Sequence, residues 1–191
     1  MAALLRGEVE VPAYAALLHN LHAIYAVLEP ALQRRSHLPA LASIDWSALA
    51  RAPSLLDDLR QLAAVARPGP SAPLALEPAA ARYVLRLQTI EAADPELLLA
   101  HAYVRYLGDL SGGQILRRIV AGSRRLPPDV GTAFYDFGDS AVTAALTRAF
   151  RDGLERAVVA NQAAVVAEAK LSFEYHQQLF DELAMRWPVE A

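Results

Sequence analysis

His101-Ala-Tyr-Val-Arg-Tyr-Leu-Gly-Asp-Leu-Ser-Gly-Gly-Gln114 decides how this chain is read. It holds three glycines in six residues, Gly108, Gly112 and Gly113, inside a stretch that otherwise reads as a long helix. A glycine in a helix interior costs about 1 kcal/mol relative to alanine, so the set costs about 3 kcal/mol. Such a cost is kept where a backbone must be approached closely or a helix must bend. Arg105, Gly108, Asp109 and Gly112 stand at i, i+3, i+4 and i+7 and share one helix face, with His101 one turn earlier. That face offers two bare backbone patches flanked by a cation and a carboxylate. It suits a flat apolar ligand with polar chemistry beside it. Spacing alone leaves a second reading open: a glycine kink packed on a neighbouring helix, with Arg105 and Asp109 as an ordinary i,i+4 ion pair.

The flanking sequence is helical throughout. Pro12 suits the first turn of a helix running to about Gln33, in which Tyr14, Leu17, Leu18, Leu21, Ile24, Tyr25 and Leu28 recur at helical intervals. Pro30 is expected to kink or end its regular part. Residues 37–53 read as a connector with at most a short helical turn, and Pro53 to Ala66 as an amphipathic helix. Arg67 to Pro73 is a loop, too short to link domains. Pro78 to Ala92 is the next helix. Asp94-Pro95-Glu96 reads as an N-cap, a first-turn proline and a first-turn acid opening the glycine-bearing helix, which Gly122 ends near Ala121. Thr132 to Phe137 is the only candidate strand and reads instead as an aromatic loop plugging the core. Helix resumes near Asp139 or Ser140 to about Val159, tolerating Gly153, and Asn161 caps a last helix to about Met185. With no sustained strand pattern, the expected fold is all-α, one multi-helical bundle over residues 1–191.

Composition narrows the chemistry. The 191 residues are 54% hydrophobic and 20% charged, with a net charge of −3, which argues against a general nucleic-acid footprint. No cysteine is present, so disulfides, thiolate metal sites, iron–sulfur clusters and cysteine nucleophiles are excluded. The longest apolar run, Ala13 to Leu28, is interrupted by His19, Asn20 and His22 and reads as a buried helix rather than a membrane span. His19 and His22 have a metal-ligand spacing but no third ligand nearby, so no metal site is assigned. Nucleophile elbows, phosphate loops, dinucleotide fingerprints and paired Glu-x-x-His motifs are absent.

The stretch from His101 to Gln114 closely resembles the signature of the heme oxygenases. Asn20 to Glu29 resembles the family's second helix, and Ala167 to Leu183 its last long helix. The resemblance implies an all-α, heme-oxygenase-like bundle with a glycine-kinked distal helix. It implies heme as both substrate and cofactor, opened to biliverdin with release of carbon monoxide and iron, using O2 and external electrons. On matching positions, Gly108 and Gly112 would let the distal backbone lie against the porphyrin. Asp109 would hold the distal water network that delivers protons, joined by Arg105 and Tyr25. Tyr103 and Arg151 match propionate-contacting positions, and Phe173 and Phe180 match apolar pocket positions. His101 matches a structural position, and His176 stands where some relatives carry asparagine.

The family's axial histidine lies in a first helix that precedes the residues matching Met1. The expectation is therefore a chain lacking that helix, which binds heme weakly and turns over slowly, or a non-catalytic heme- or bilin-binding protein on the same fold. Arg117, Arg118, Arg124 and Arg125 cluster at the end of the distal helix and suit an acidic ferredoxin or flavoprotein reductase as electron donor, or else simply complement the helix dipole. A cytoplasmic monomer without membrane or nucleic-acid partners completes the reading.

Overall fold

The computed structural model describes residues 10–65, 74–123, 126–127 and 130–188. The helices are α1 (Val11–Arg34), α2 (Trp46–Leu49), α3 (Ala52–Val65), α4 (Pro78–Ala93), α5 (Leu98–Ala121), α6 (Ser140–Arg156) and α7 (Gln162–Arg186). Short 3-10 turns at Pro95–Leu97 and Ala133–Tyr135 complete the order, and no strand occurs among the described residues. The expected loop at 67–73 and the chain around Met1 lie outside the described residues.

The heptad-like stripe of α1 explains its central place. Tyr14, Leu18, Ile24, Tyr25 and Leu28 are fully buried, and α1 packs on α3 and α4. By length and composition α1 could cross a membrane, yet half of that window is buried inside the protein. Its polar residues are also engaged inward. Asn20 donates from Nδ2 to the Ala16 carbonyl at 2.8 Å and accepts from the Glu77 N–H at 2.7 Å, which ties the start of α4 to α1. The outer layer is α7, laid across α4 and α5, with Glu182 accepting from the Ala79 N–H at 2.7 Å.

The structure departs from the sequence reading at three boundaries. Of the kink or end expected at Pro30, the end does not occur, because α1 continues to Arg34, close to the expected limit at Gln33. Pro30 and Ala26 both lie on the exposed side, where water can replace the missing bond. Asp94 makes no side-chain cap; a 3-10 turn intervenes before α5, and Glu96 accepts from the Ala160 N–H at 2.8 Å instead. Helix α6 stops at Arg156, as Ala157 turns extended and the Val158 N–H reaches the Pro39 carbonyl at 3.3 Å. The aromatic plug is present: Phe134, Tyr135 and Phe137 are buried, and buried Asp58 accepts from the N–H groups of Ala133 and Phe134 at 2.8 and 2.7 Å.

Helix α5 runs unbroken through its glycines, which face different surroundings. A methyl at Gly113 would sit 3.4 Å from the Tyr135 carbonyl oxygen, so this glycine faces the packed core at ordinary contact distance. Among the described residues, a methyl at Gly108 or Gly112 would meet nothing within 4 Å. On α6, a methyl at Gly153 would fall 2.5 Å from Ile44 Cγ1 and 2.9 Å from the Ser43 carbonyl oxygen. Gly153→Ala is therefore expected to lower stability by about 1–2 kcal/mol. Gly112→Ala should raise it by about 0.5–1 kcal/mol, since nothing opposes the gain in helix propensity. Urea unfolding of the two variants checks both signs, and a destabilised Gly112→Ala would show that a packing partner had been missed.

Candidate functional site

Arg105 and Asp109, one turn apart on α5, turn inward from the glycine face toward α1 and α7. The Tyr25 hydroxyl of α1 donates to Asp109 Oδ2. Arg105 donates from Nε to the Tyr25 oxygen at 3.0 Å and from Nη2 to Asp109 Oδ1 at 3.2 Å. Its Nη1 meets His176 Nε2 of α7 at 2.6 Å. The side chains of Arg105 and Asp109 are 12% and 10% exposed, so a narrow opening to solvent remains.

Burial sets the electrostatics. It pushes the Asp109 carboxyl upward, against the pull of Arg105, the Tyr25 hydrogen bond and Arg51. Burial also disfavours the Arg105 cation, but Tyr25 and Asp109 outweigh it and raise its pKa, so Arg105 stays charged. The Tyr25 phenol is raised well above its usual value, chiefly by burial. The cluster is thus a fixed cation, a carboxylate held by two donors, and a phenol that keeps its proton. A carboxylate oriented in this way can order a water molecule and pass a proton through it.

Beside the cluster lies an open wall. Gly108 is exposed, Gly112 partly so, and Ile115, one turn further along the same face, is 59% exposed. An apolar helix face paved with glycine and left open by the protein fits a flat ring system pressed against the backbone.

Tyr103 and Phe173 line a groove of about 380 Å³ between α5, α6 and α7, together with Leu99, Leu154, Val165 and Lys170. They are 41% and 60% exposed. Arg151 is exposed on α6, and Phe180 packs partly buried against the core; neither lines that groove. Among the described residues no cluster of His, Asp and Glu could hold a metal ion.

A second buried cluster adjoins the first. Glu168 accepts from Arg86 at 2.9 and 2.6 Å and pairs with His101 Nε2 at 2.8 Å. His101 Nδ1 meets the Tyr83 hydroxyl at 3.0 Å, and Tyr83 meets the Ser172 hydroxyl at 2.8 Å. His101 is thus a structural residue, fully buried. Sequence reasoning passed over Glu168, Ser172 and Lys170. The first two had a signal: Glu168, Ser172 and His176 recur at i, i+4 and i+8 on the stripe that continues into buried Leu179 and Leu183.

Fold and site together define an all-helical protein built around an internal Arg–Asp–Tyr–His cluster on the helix that carries the open glycines. The family model described as Heme oxygenase matches residues 1–182. A heme oxygenase 1 of Nostoc sp. is 36% identical over 181 residues, covering 94% of this chain and 75% of the relative. The heme oxygenase of Porphyra purpurea is 37% identical over 183 residues, with the same coverage of each. Among solved structures, heme oxygenase-2 from Synechocystis sp. in complex with heme and NO superposes with a TM-score of 0.83 at 34% identity, covering 95% of this chain and 75% of that one. The heme oxygenase of Leptospira interrogans gives 0.84 at 33% identity, covering 95% and 88%. The chain belongs to the heme oxygenase family.

The Glu168 cluster has a defined pH signature. Burial pushes this carboxyl up, but the hydrogen bonds and charges of His101 and Arg86 outweigh it and hold it at about 2, against an ordinary value of 4.5. A depressed carboxyl stabilises the fold fully above the unfolded value and loses that contribution as pH falls toward the folded one. Glu168→Gln is expected to cost about 2–3 kcal/mol at pH 7. In urea titrations the gap between wild type and variant should hold constant above pH 4.5 and narrow between 4.5 and 2. A gap independent of pH over that interval would remove the charge from the account.

Proposed function

We propose that this chain acts as a heme oxygenase, one domain that binds heme against α5 and opens the ring to biliverdin with release of carbon monoxide and iron. One observation carries the reading: Gly108 and Gly112 hold an open backbone face directly beside the Arg105–Asp109–Tyr25 cluster. Bound heme would supply both the ring to be opened and the iron at which O2 is activated with external electrons.

The protein's share of the work follows from its own atoms. The glycines let a planar ring approach the helix backbone more closely than any side chain would allow. Asp109, fixed by Tyr25 at one oxygen and Arg105 at the other, orients water at the edge of that face and governs proton delivery there. Arg105 keeps the carboxylate in register and balances its charge. Tyr103 and Phe173 bracket one edge of the ligand, with Lys170 beside them as a cation for a carboxylate substituent. Arg151 and Phe180 contribute at the margin, the first through its charge and the second by backing the pocket wall.

The decisive experiment is a heme titration followed optically, with biliverdin measured after addition of a reductant. Asp109→Ala should still bind heme yet lower the biliverdin yield per heme consumed at least tenfold, as expected for a lost proton-positioning group. An unchanged yield would take Asp109 out of the mechanism. Heme binding without any product would favour the alternative, a heme- or bilin-binding protein on the same fold.

Electrons come from an acidic protein donor, a ferredoxin or a flavoprotein reductase, docking near the end of α5 on the surface of a cytoplasmic monomer. Arg118 is exposed there, and Arg117 is 38% exposed while paired to Asp136 at 2.8 Å; Arg124 and Arg125 lie outside the described residues. Donor-driven turnover should slow as salt rises from low ionic strength. A rate insensitive to salt would count against docking at this face.

A further inference from the structure

His176 is the one member of the Arg105 cluster to which no role has yet been given, and its chemistry is fixed by its neighbours. Nδ1 lies 2.8 Å from the Ser172 carbonyl oxygen, one turn back on α7. A carbonyl only accepts, so Nδ1 carries a proton. Nε2 lies 2.6 Å from Arg105 Nη1, and a guanidinium only donates, so Nε2 is bare. The imidazole is therefore neutral and confined to a single tautomer. Tyr83 of α4 holds the ring edge-on, with centroids 5.1 Å apart.

We propose that His176 is the positioning residue of the distal cluster: a neutral acceptor that fixes the plane of the Arg105 guanidinium, and with it Asp109 and Tyr25, and that releases them when it is protonated. Arg105 has three partners on three helices, Tyr25 on α1, Asp109 on α5 and His176 on α7. Two of those, Tyr25 and Asp109, also bind each other, so only the contact to His176 ties the set to the outer layer. A proton on Nε2 would set two donors and two cations against each other at a hydrogen-bond distance.

The surroundings keep that state away from neutral pH. The charged and titratable groups facing His176 are Arg105 and His101 from α5, Tyr83 from α4, and, behind Arg105, Asp109 and Tyr25. Burial first, then Arg105, and more weakly His101, hold the imidazole well below its usual 6.5, against the pull of the Ser172 carbonyl. The acid limit of the cluster is thus set by a histidine that touches no part of the open wall. The inference rests on reading Asp109 as the proton-handling group, but its structural half can be tested without ligand.

The experiment is NMR of the ligand-free protein labelled with 15N, with His176→Gln and His176→Leu beside wild type. Gln can place an acceptor near the Nε2 position but does not titrate. In wild type, the imidazole should show a protonated Nδ1 and a bare Nε2. The Arg105 Nε–H should be protected from exchange, and that protection should disappear with the same midpoint as His176 protonation, below pH 6.5. His176→Leu should speed Arg105 Nε–H exchange about tenfold or more, and His176→Gln should restore protection and extend it to lower pH. The opposite tautomer, equal exchange in Leu and wild type, or separate midpoints for His176 and Arg105 would each overturn the proposal. If the Leu variant does not fold, the wild-type midpoints and the Gln variant still decide. In the heme-loaded protein the acid edge of biliverdin formation should move to lower pH in His176→Gln. Absence of ring opening alongside the expected NMR result would overturn the functional reading and leave the positioning role standing.

Discussion

A guanidinium placed inside a helical bundle constrains everything around it. Arg105 is nearly out of water, and removing an ion of that size from solvent costs several kcal/mol unless its hydrogen bonds are met. Helices α1, α5 and α7 each supply one acceptor. Their relative register is thereby set at the same point where the chemistry is expected. A shift of any one helix would leave a donor unmet inside the core, at a cost of about 1–3 kcal/mol. The cluster's rigidity follows from this rather than from any special strength of the Arg105–Asp109 pair, which as an isolated surface pair on a helix would contribute only about 0.5 kcal/mol.

The glycines show the same economy from the other side. Gly153 is explained by what a side chain there would strike, the Ser43 backbone and the Ile44 side chain, while Gly113 faces Tyr135 at ordinary contact distance. Among the described residues Gly108 and Gly112 touch nothing, and these offer no reason to forgo alanine there. Spacing could not separate a packing kink from a ligand face, because both readings need small residues at i and i+4. The structure separates the three by location: Gly113 faces buried Tyr135, and the open wall belongs to Gly108 and Gly112.

Much of this was legible in the sequence, because helical periodicity and the glycine-bearing signature are local properties. The stripe on α1, the run of α5 and the Asn161 cap follow from residue types within a turn or two. What escaped was set by tertiary contact. Asp94 has the composition of an N-cap, yet a 3-10 turn follows it without a side-chain cap, and Glu96 within that turn bonds to Ala160, more than 60 residues away. Pro30 reads as a kink or an end of the regular helix, and the helix continues past it because exposure makes a missing bond tolerable. At the site, spacing sets Arg105 and Asp109 on one helix face and the family resemblance adds Tyr25, whereas Glu168 and Ser172 stand on a polar i,i+4 stripe whose inward turn only the packing of α7 shows.

The two polar clusters are joined mechanically but not by a path for protons. From Arg86 the hydrogen bonds run through Glu168, His101 and Tyr83 to the Ser172 hydroxyl. They resume from the Ser172 carbonyl through His176 and Arg105 to Asp109. The break falls within one residue, between a hydroxyl and a backbone carbonyl that can neither gain nor lose a proton. Arg105, with a raised pKa, would not relay one either. The Glu168 cluster therefore holds α4, α5 and α7 in place without feeding Asp109. In the proposed mechanism Asp109 therefore exchanges protons through the tenth of its surface that meets solvent. On the proposed reading the open face admits the flat ring, while the carboxylate beside it is held at one oxygen by Tyr25 and at the other by Arg105 and keeps a tenth of its surface in solvent.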